Sequence, residues 1–126
     1  MNQHRIVVAD DDPIVTKFLS AIFKDEGYEV RTADDGEKAW LLIKEMKPHL
    51  VILDLVMPYR DGFEVCRQMR AAPETRTVPV IILSMKEKEQ DALHAFEVGA
   101  DDYIRKPFNV LELLARARKL MNGRVA

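Results

Sequence analysis

The chain has 126 residues, the length of one ordinary domain, because two domains of half that size would each be marginally stable. A content of 48% hydrophobic and 32% charged residues is typical of a globular protein and excludes a disordered chain. The 19 basic and 21 acidic residues give a formal net charge of −2, which provides no general attraction to nucleic acid or to an anionic membrane.

The sequence also excludes several kinds of targeting and cross-linking. No apolar run approaches the roughly 20 residues that span a bilayer, and residues 1–5 contain no signal-peptide core. A single cysteine, Cys66, excludes an internal disulfide and a CxxC metal or redox site. We therefore expect one cytoplasmic domain over residues 1–126, with a core from about residue 4 to residue 121, that contacts neither membranes nor nucleic acid directly.

Short apolar runs alternate with amphipathic segments along the chain. The first run, Ile6–Ala9, has the length and composition of a strand that is buried on both faces, as strands of parallel sheets are. The predicted strands are, in chain order, Ile6–Ala9, Tyr28–Thr32, Leu50–Leu53, Val78–Leu83 and Asp102–Arg105.

A predicted helix follows each strand. The first helix has Asp12 as its N-cap and Pro13 in its first turn, and it ends at Gly27. The other helices begin near Gly36, Phe63, Lys88 and Asn109. Five strand–helix units predict a flavodoxin-like, three-layer α/β sandwich, in which helices cover both faces of a five-stranded parallel sheet.

Polar side chains follow four of the predicted strands. Asp10 and Asp11 come after the first strand, Asp54 after the third, Ser84 after the fourth and Lys106 after the fifth. With the strand order 2-1-3-4-5 these four strands are neighbours, and ligands of such sheets bind outside the carboxyl ends of the strands. The pattern therefore predicts that these side chains converge on one crevice.

The acidic side chains of this crevice need positive charge nearby. Two carboxylates about 4 Å apart repel each other by roughly 4 kcal/mol at an effective dielectric constant near 20. Lys106 supplies one positive charge, and oxygen ligands favour Mg²⁺, or Mn²⁺ in its place, as a second source. A carboxylate beside such a cation, a lysine and a hydroxyl group is suited to phosphoryl transfer. We predict Asp54 as the nucleophile, Asp10 and Asp11 as metal ligands, and Ser84 as a donor to a phosphoryl oxygen.

The chain resembles the receiver domains of two-component response regulators over essentially its full length. The matching motifs follow the family's order and lie at predicted strand ends. They are Asp10-Asp11, Asp54-Leu55-Val56-Met57-Pro58 with Gly62, Ser84, Gly99-Ala100-Asp101-Asp102-Tyr103 and Lys106-Pro107-Phe108.

The resemblance implies a role for each matching polar residue. Asp54 would accept a phosphoryl group from the phosphohistidine of a histidine kinase or a histidine phosphotransfer protein, or from acetyl phosphate. Asp11, Asp54 and the backbone carbonyl of Val56 would bind Mg²⁺, and Asp10 would act mainly through metal-bound water. Lys106 would pair with Asp54 and later with a phosphoryl oxygen.

The resemblance also implies a conformational switch. On phosphorylation Ser84 would move toward the phosphoryl group and the ring of Tyr103 would turn inward, which would remodel the face formed by the fourth helix, the fifth strand and the fifth helix. This face would act on an output domain or effector protein that the sequence does not identify. Glu112 and Arg116 on the last helix and Glu97 on the preceding helix resemble the homodimer face of DNA-binding regulators, whereas Ala92 and Leu93 depart from that pattern. The Lys106–Pro107 bond resembles the family's cis peptide.

The positions that flank the acceptor depart from the family's pattern. The family usually has alanine or glycine after the residue that corresponds to Ser84, and the long side chain of Met85 would narrow access to the phosphoryl group and hinder Tyr103. Val56 is apolar and Lys86 is basic, whereas a polar or acidic pair there orients water for attack on the acyl phosphate. We therefore expect the phosphorylated form to hydrolyse slowly for this family.

Three other functions match parts of the pattern. An aspartate-nucleophile phosphatase would carry D-x-D-x-T after its first strand, but Ile14 stands at the threonine position. A flavodoxin-like cofactor binder needs a Ser/Thr/Gly-rich phosphate loop, and residues 10–12 would repel a phosphate. A receiver fold used only as a docking scaffold stays open because of Met85. The expected protein is a phosphoacceptor that assists its own phosphorylation and dephosphorylation, and not an enzyme.

Overall fold

The computed structural model describes residues 3–85 and 89–122. Within these residues, five strands alternate with five helices, as the sequence predicts. The elements are β1 (Arg5–Ala9), α1 (Pro13–Asp25), β2 (Glu29–Ala33), α2 (Gly36–Met46), β3 (Leu50–Asp54), α3 (Gly62–Ala71), β4 (Val80–Ser84), α4 (Glu89–Glu97), β5 (Asp102–Arg105) and α5 (Val110–Asn122).

The strands form one parallel sheet in the order β2-β1-β3-β4-β5, so the predicted fold is confirmed. The register pairs Ala9 with Leu53 across β1 and β3, and Asp54 with Leu83 across β3 and β4. The carboxyl ends of these central strands are therefore level with one another. A residue that follows one strand lies beside the residue that follows the next.

Two apolar cores lie on opposite faces of the sheet, because successive strand residues point in opposite directions. Val7 and Val51 belong to the core that α2, α3 and α4 cover. Ile6 and Ile52 belong to the core that α1 and α5 cover. Burial on both faces is the reason that β1, β3 and β4 have continuous apolar sequences with no polar alternation.

The structure shortens the predicted fourth strand at its beginning. The sequence pattern places the start at Val78, whereas β4 begins at Val80. The backbone N–H of Val78 donates to the carbonyl of Thr75 at 3.1 Å, which closes a turn after α3, and Pro79 has no N–H to donate to a neighbouring strand. Because Val78 is apolar, the sequence pattern assigned it to the strand, but it belongs to this turn.

Polar caps set the ends of several helices as predicted. The Asp12 carboxylate accepts a hydrogen bond from the N–H of Ile14 at 2.9 Å, and the Asn109 side chain accepts one from Glu112 at 3.0 Å. Gly27, at the end of α1, has a φ of 94°, which an L side chain rarely adopts. The predicted start of α4, at Lys88, lies outside the described residues. No helix among the described residues is both long and apolar enough to cross a membrane.

Candidate functional site

The carboxyl ends of three strands bring together three charged side chains. Asp10 directly follows β1, Asp54 is the last residue of β3, and Lys106 directly follows β5. The Lys106 Nζ donates to Asp10 Oδ2 at 2.7 Å and to Asp54 Oδ1 at 3.0 Å. The predicted convergence of these residues is therefore observed, although they are separated by up to 96 positions in the chain.

Asp11 completes an acidic cluster with Asp10 and Asp54. One carboxylate oxygen from each of the three residues lies within 4.8 Å of the other two. Asp10 and Asp54 are buried, with 2% and 8% of their surface exposed, whereas Asp11 is open to solvent. Three carboxylate oxygens at this separation, with solvent on one side, fit a hard divalent cation that keeps some of its water ligands.

Asp12 differs from the three aspartates of the acidic cluster, because its side chain is used at the start of α1. Its side chain caps the helix, and its backbone N–H donates to Asp10 Oδ1 at 2.9 Å. This bond leaves Asp10 Oδ2 to face Lys106. The consecutive aspartates after β1 thus have different functions, and the interpretation of Asp12 as a helix cap is confirmed.

The electrostatics of the site follow from burial. Burial raises the pKa of the Asp54 carboxyl, the hydrogen bond from Lys106 opposes this change, and the carboxylates of Asp10 and Asp11 reinforce it. Burial alone would lower the pKa of Lys106, but its hydrogen bonds to Asp10 and Asp54 outweigh this effect, and the pKa is raised. Lys106 therefore remains a cation between two carboxylates at neutral pH.

Ser84 and Tyr103 lie on the neighbouring strands β4 and β5. Ser84 is the last residue of β4 and is 1% exposed, and its carbonyl accepts a hydrogen bond from the Lys106 N–H at 2.8 Å. Tyr103 is half-buried opposite Ile82 and packs against the core beneath α2, α3 and α4. The backbone of Ser84 is thus joined to Lys106, and Tyr103 lies on the adjacent strand.

The loop after β3 is held close to the end of that strand. The backbone N–H of Gly62 donates to the Leu55 carbonyl at 2.9 Å. A Cβ atom at Gly62 would lie 2.7 Å from the Asp54 carbonyl oxygen, so only glycine fits this approach without a shift of the backbone. This contact gives a physical reason for the glycine in the motif that follows Asp54.

Two exposed apolar residues lie beyond the ends of β3 and β4. Val56 is 57% exposed and Met85 is 76% exposed. The two strands are adjacent, and the N–H of Leu55, the residue after Asp54, donates to the Leu83 carbonyl at 3.0 Å. We call Val56 and Met85 the apolar rim. Lys86, which the sequence analysis placed beside them, lies outside the described residues.

The bond between Lys106 and Pro107 is cis, as the resemblance implies.

Sequence reasoning missed two sets of contacts. It paired Lys106 with Asp54 but not with Asp10, although Asp10 Oδ2 is the closer partner. It also assigned no role to Arg70, which donates to the Gly99 carbonyl at 2.9 Å, to the Val78 carbonyl at 2.7 Å and to Asp101 Oδ2 at 3.0 Å. The motif that contains Gly99 and Asp101 was visible in the sequence, but no local pattern identifies Arg70 as their partner.

These features define the class of the protein as an open parallel α/β domain with an acidic, lysine-bridged site at the carboxyl ends of its strands. A family model described as the response regulator receiver domain matches residues 6–118. The chain belongs to this family and is a receiver domain of a response regulator in two-component signalling. Membership favours the receiver interpretation over the phosphatase and the cofactor binder.

Individual relatives agree with this assignment. The DNA-binding dual master transcriptional regulator RpaA of Synechocystis is 42% identical over 117 residues, which are 93% of this chain and 48% of that protein. The chain therefore spans about half the length of this relative. The receiver domain of Francisella response regulator 1452 has a TM-score of 0.90 at 31% identity, covering 97% of this chain and 99% of that one. The activated receiver domain of Klebsiella pneumoniae RstA has a TM-score of 0.86 at 32% identity, covering 93% and 97%.

Proposed function

We propose that this chain is a cytoplasmic phosphoacceptor domain that receives a phosphoryl group on Asp54 in a Mg²⁺-dependent reaction. The donor is the phosphohistidine of a histidine kinase or of a histidine phosphotransfer protein. The observation that carries the proposal is the cluster of Asp10, Asp11 and Asp54, whose carboxylate oxygens lie within 4.8 Å of one another and which Lys106 bridges. Family membership supports the signalling role.

The transfer forms one bond and breaks one bond. An oxygen of the Asp54 carboxylate attacks phosphorus, and the P–N bond to the donor imidazole breaks with its electron pair leaving on nitrogen. Lys106, already 3.0 Å from Asp54 Oδ1, pairs with a phosphoryl oxygen in the product. The hydroxyl of Ser84 donates to another phosphoryl oxygen. The product is an acyl phosphate, so Asp54 is a nucleophile that holds the group transiently.

The metal would be held by Asp11, by Asp54 and by the backbone carbonyl of Val56, with Asp10 acting through metal-bound water. Mg²⁺ supplies positive charge that neutralises the phosphoryl oxygens during transfer, and Mn²⁺ has the same ligand preference. The side chains are hard oxygen donors, and one of them, Asp11, is open to solvent; this is the donor set that such cations prefer.

Phosphorylation would be transmitted through Ser84 and Tyr103 to the face formed by α4, β5 and α5. Ser84 would move toward the phosphoryl group, and the ring of Tyr103 would occupy the space that it leaves. The remodelled face would regulate an output domain or an effector protein. The relative in Synechocystis, which is about twice as long as this chain, is described as a DNA-binding transcriptional regulator, and we infer that a comparable output is controlled here.

Acetyl phosphate provides a direct test of the acceptor. The purified chain is incubated with acetyl phosphate and Mg²⁺, and its intact mass is measured. We expect one phosphoryl adduct in the parent chain, no adduct in Asp54→Asn, and loss of labelling when EDTA removes the metal. Asp12→Asn is the matched control, because Asp12 is a neighbouring aspartate whose side chain caps α1; this variant should be labelled like the parent chain.

A parent chain that stays unmodified in Mg²⁺ would overturn the proposal and leave the docking-scaffold alternative. An adduct that persists in Asp54→Asn would place the acceptor at another residue. If EDTA does not change the labelling, the reaction does not require a metal ion.

A homodimer through the face of α4, β5 and α5 is a further part of this proposal. Phe96 on α4 is half exposed. Arg116 on α5 forms ion pairs at 2.8 Å with Asp102 and with Glu112 of the same chain. Sedimentation velocity with and without beryllofluoride should show dimerisation on activation that Arg116→Glu removes. Arg67→Glu, a substitution of an exposed arginine on α3, should leave it unchanged.

Slow hydrolysis of the acyl phosphate is a separate expectation of the proposed function. The apolar rim of Val56 and Met85 offers only an aliphatic side chain and a weakly accepting thioether, neither of which is suited to orient an attacking water. The half-life of the adduct should therefore shorten in Met85→Ala, which opens access for water, and in Lys86→Glu, which supplies an acceptor. If neither substitution shortens the half-life, the residues that flank the acceptor do not control hydrolysis.

A further inference from the structure

Met85 differs from the other methionines of the described chain in its exposure to solvent. Met85 is 76% exposed. Each of the others within residues 3–85 and 89–122 is at most 9% exposed; these are Met46, Met57, Met69 and Met121. A thioether reacts with peroxides only where the oxidant can reach the sulfur atom, so this contrast predicts selective oxidation at Met85.

The position of Met85 connects this exposed sulfur with the acceptor. Asp54 and Leu83 are paired in the register of β3 and β4, and Val56 and Met85 each lie two residues beyond that pair. The two residues therefore lie at equivalent positions beyond the carboxyl ends of adjacent strands, the end of the sheet where the acidic cluster lies. A chemical change at Met85 alters the apolar rim directly.

The cysteine does not compete for the oxidant. Cys66 is fully buried in the core beneath α2, α3 and α4, and its thiol donates to the Val98 carbonyl at 3.6 Å. Burial raises the pKa of this thiol to about 11, so the reactive thiolate is scarce at neutral pH. Among the described sulfur atoms, only that of Met85 is both exposed and oxidisable.

We propose that Met85 is a peroxide-sensitive modification site that shortens the lifetime of the acyl phosphate on Asp54 when it is oxidised. A sulfur lone pair of Met85 attacks one oxygen of hydrogen peroxide, the O–O bond breaks and an S–O bond forms. The departing hydroxide takes the proton of the transferred oxygen and becomes water. Sulfur loses two electrons and peroxide gains them, and the product is methionine sulfoxide, which sulfoxide reductases can convert back to methionine.

The effect on lifetime follows from the polarity of the sulfoxide and rests on the proposed function. An unoxidised thioether is a weak hydrogen-bond acceptor, so Met85 and Val56 hold no water in an orientation suited to attack on phosphorus. The sulfoxide oxygen is a polar acceptor, and it can hold a water molecule beside the phosphoryl group. Oxidation thus replaces half of the apolar rim with a polar group and favours hydrolysis.

The first measurement tests the modification without reference to phosphorylation. The parent chain is treated with limiting hydrogen peroxide, digested and analysed by mass spectrometry for the sulfoxide at each methionine. We expect Met85 to be oxidised at least about tenfold faster than the buried methionines, because oxidation follows exposure. Oxidation of Met85 at the rate of Met69 or slower would overturn the proposal.

The second measurement tests the consequence. The half-life of the acyl phosphate is measured with and without prior peroxide treatment in the parent chain, in Met85→Leu and in Met69→Leu. Peroxide should shorten the half-life at least about twofold in the parent and in Met69→Leu, and it should have no effect in Met85→Leu. An unchanged or longer half-life in the oxidised parent, or an equal loss in Met85→Leu, would overturn the proposal. If the untreated parent chain forms no acyl phosphate, the proposed function is contradicted. The sulfoxide measurement would still test whether Met85 is the site of oxidation.

Discussion

At Asp54, the proposed reaction and the stability of the fold have opposite requirements. The proposed attack on phosphorus needs an ionised carboxylate, whereas burial and the nearby carboxylates of Asp10 and Asp11 raise the pKa of this group. A raised pKa in the folded state means that folding disfavours the ionised form. The stabilising contribution of the protonated carboxyl is present at low pH and is lost as the pH rises through the pKa of the folded state.

Removal of the charge at Asp54 should therefore stabilise the chain. At pH 7 and in EDTA, we expect Asp54→Asn to have a higher urea midpoint than the parent, because the amide carries no charge into the buried cluster. Asp12→Asn is the control, since Asp12 is exposed and lies outside the cluster. A lower midpoint for Asp54→Asn would mean that the ion pair with Lys106 outweighs the cost of burying the charge.

Cys66 gives a second prediction at the scale of one residue. Its pKa is raised from the ordinary value of about 9.0 to about 11 by burial, so the thiol stabilises the fold below pH 9 and this contribution is lost as the pH rises toward 11. Between pH 8 and pH 10, the free energy of unfolding of the parent should fall by about 1.4 kcal/mol more than that of Cys66→Ala. Urea unfolding of both proteins at the two pH values measures this difference, and parallel pH profiles would contradict the prediction.

At the scale of elements, Arg70 connects α3 with the two loops that precede β4 and β5. Its guanidinium donates to the carbonyls of Val78 and Gly99 and to Asp101 Oδ2. Asp101 Oδ2 also accepts a hydrogen bond from the Val80 N–H at 2.8 Å. One partly buried cation thus holds the beginnings of two strands whose far ends carry Ser84 and Lys106.

Two glycines with similar backbone conformations allow this connection to be tested. Gly27 and Gly99 have φ values of 94° and 104°. A Cβ atom at Gly27 would meet nothing within 4 Å, whereas one at Gly99 would lie 2.7 Å from Cγ of Arg70. We expect Gly27→Ala to cost about 1–2 kcal/mol for the left-handed conformation. Gly99→Ala should cost about 1–3 kcal/mol more, because the Arg70 side chain must move and lose charged hydrogen bonds.

The measurement is chemical unfolding of both variants, in the parent background and with Arg70→Lys. The excess cost of Gly99→Ala should shrink when Arg70 is already replaced, and the cost of Gly27→Ala should stay the same. Equal costs for the two glycine substitutions would show that Arg70 moves aside freely.

At the scale of the whole molecule, the acidic cluster exists only when the sheet has formed. Asp10, Asp11 and Asp54 follow or end two different strands, and unfolding disperses them. A cation bound by the cluster should therefore bind the folded state alone and stabilise the whole domain.

This linkage gives a prediction for the domain as a whole. Mg²⁺ at about one hundred times its dissociation constant should raise the free energy of unfolding by about 2.7 kcal/mol. Thermal or urea unfolding as a function of Mg²⁺ concentration measures the effect, which Asp54→Asn should weaken strongly and Asp12→Asn should preserve. Equal stabilisation of the parent and Asp54→Asn would place the cation away from the acceptor.

The sequence by itself determined the sandwich, the approximate position of each element and the candidate residues at the strand ends. This was feasible because strands buried on both faces require continuous apolar runs, and because helix ends need caps such as Asp12 and Asn109. Both are short-range requirements that leave a local pattern in the chain. The start of β4 was misplaced because Val78 is apolar but is used by a turn.

Only the tertiary structure decided which side chains became partners. Lys106 meets Asp10 as well as Asp54, and Arg70 meets Gly99 and Asp101, because strand order and helix packing bring distant segments together. The exposure of Met85 and the burial of Cys66 were settled in the same way. The physical reason is that pairing and burial depend on which elements are neighbours in space. Two residues that are far apart in the chain can be partners without any recurring sequence pattern that would reveal it.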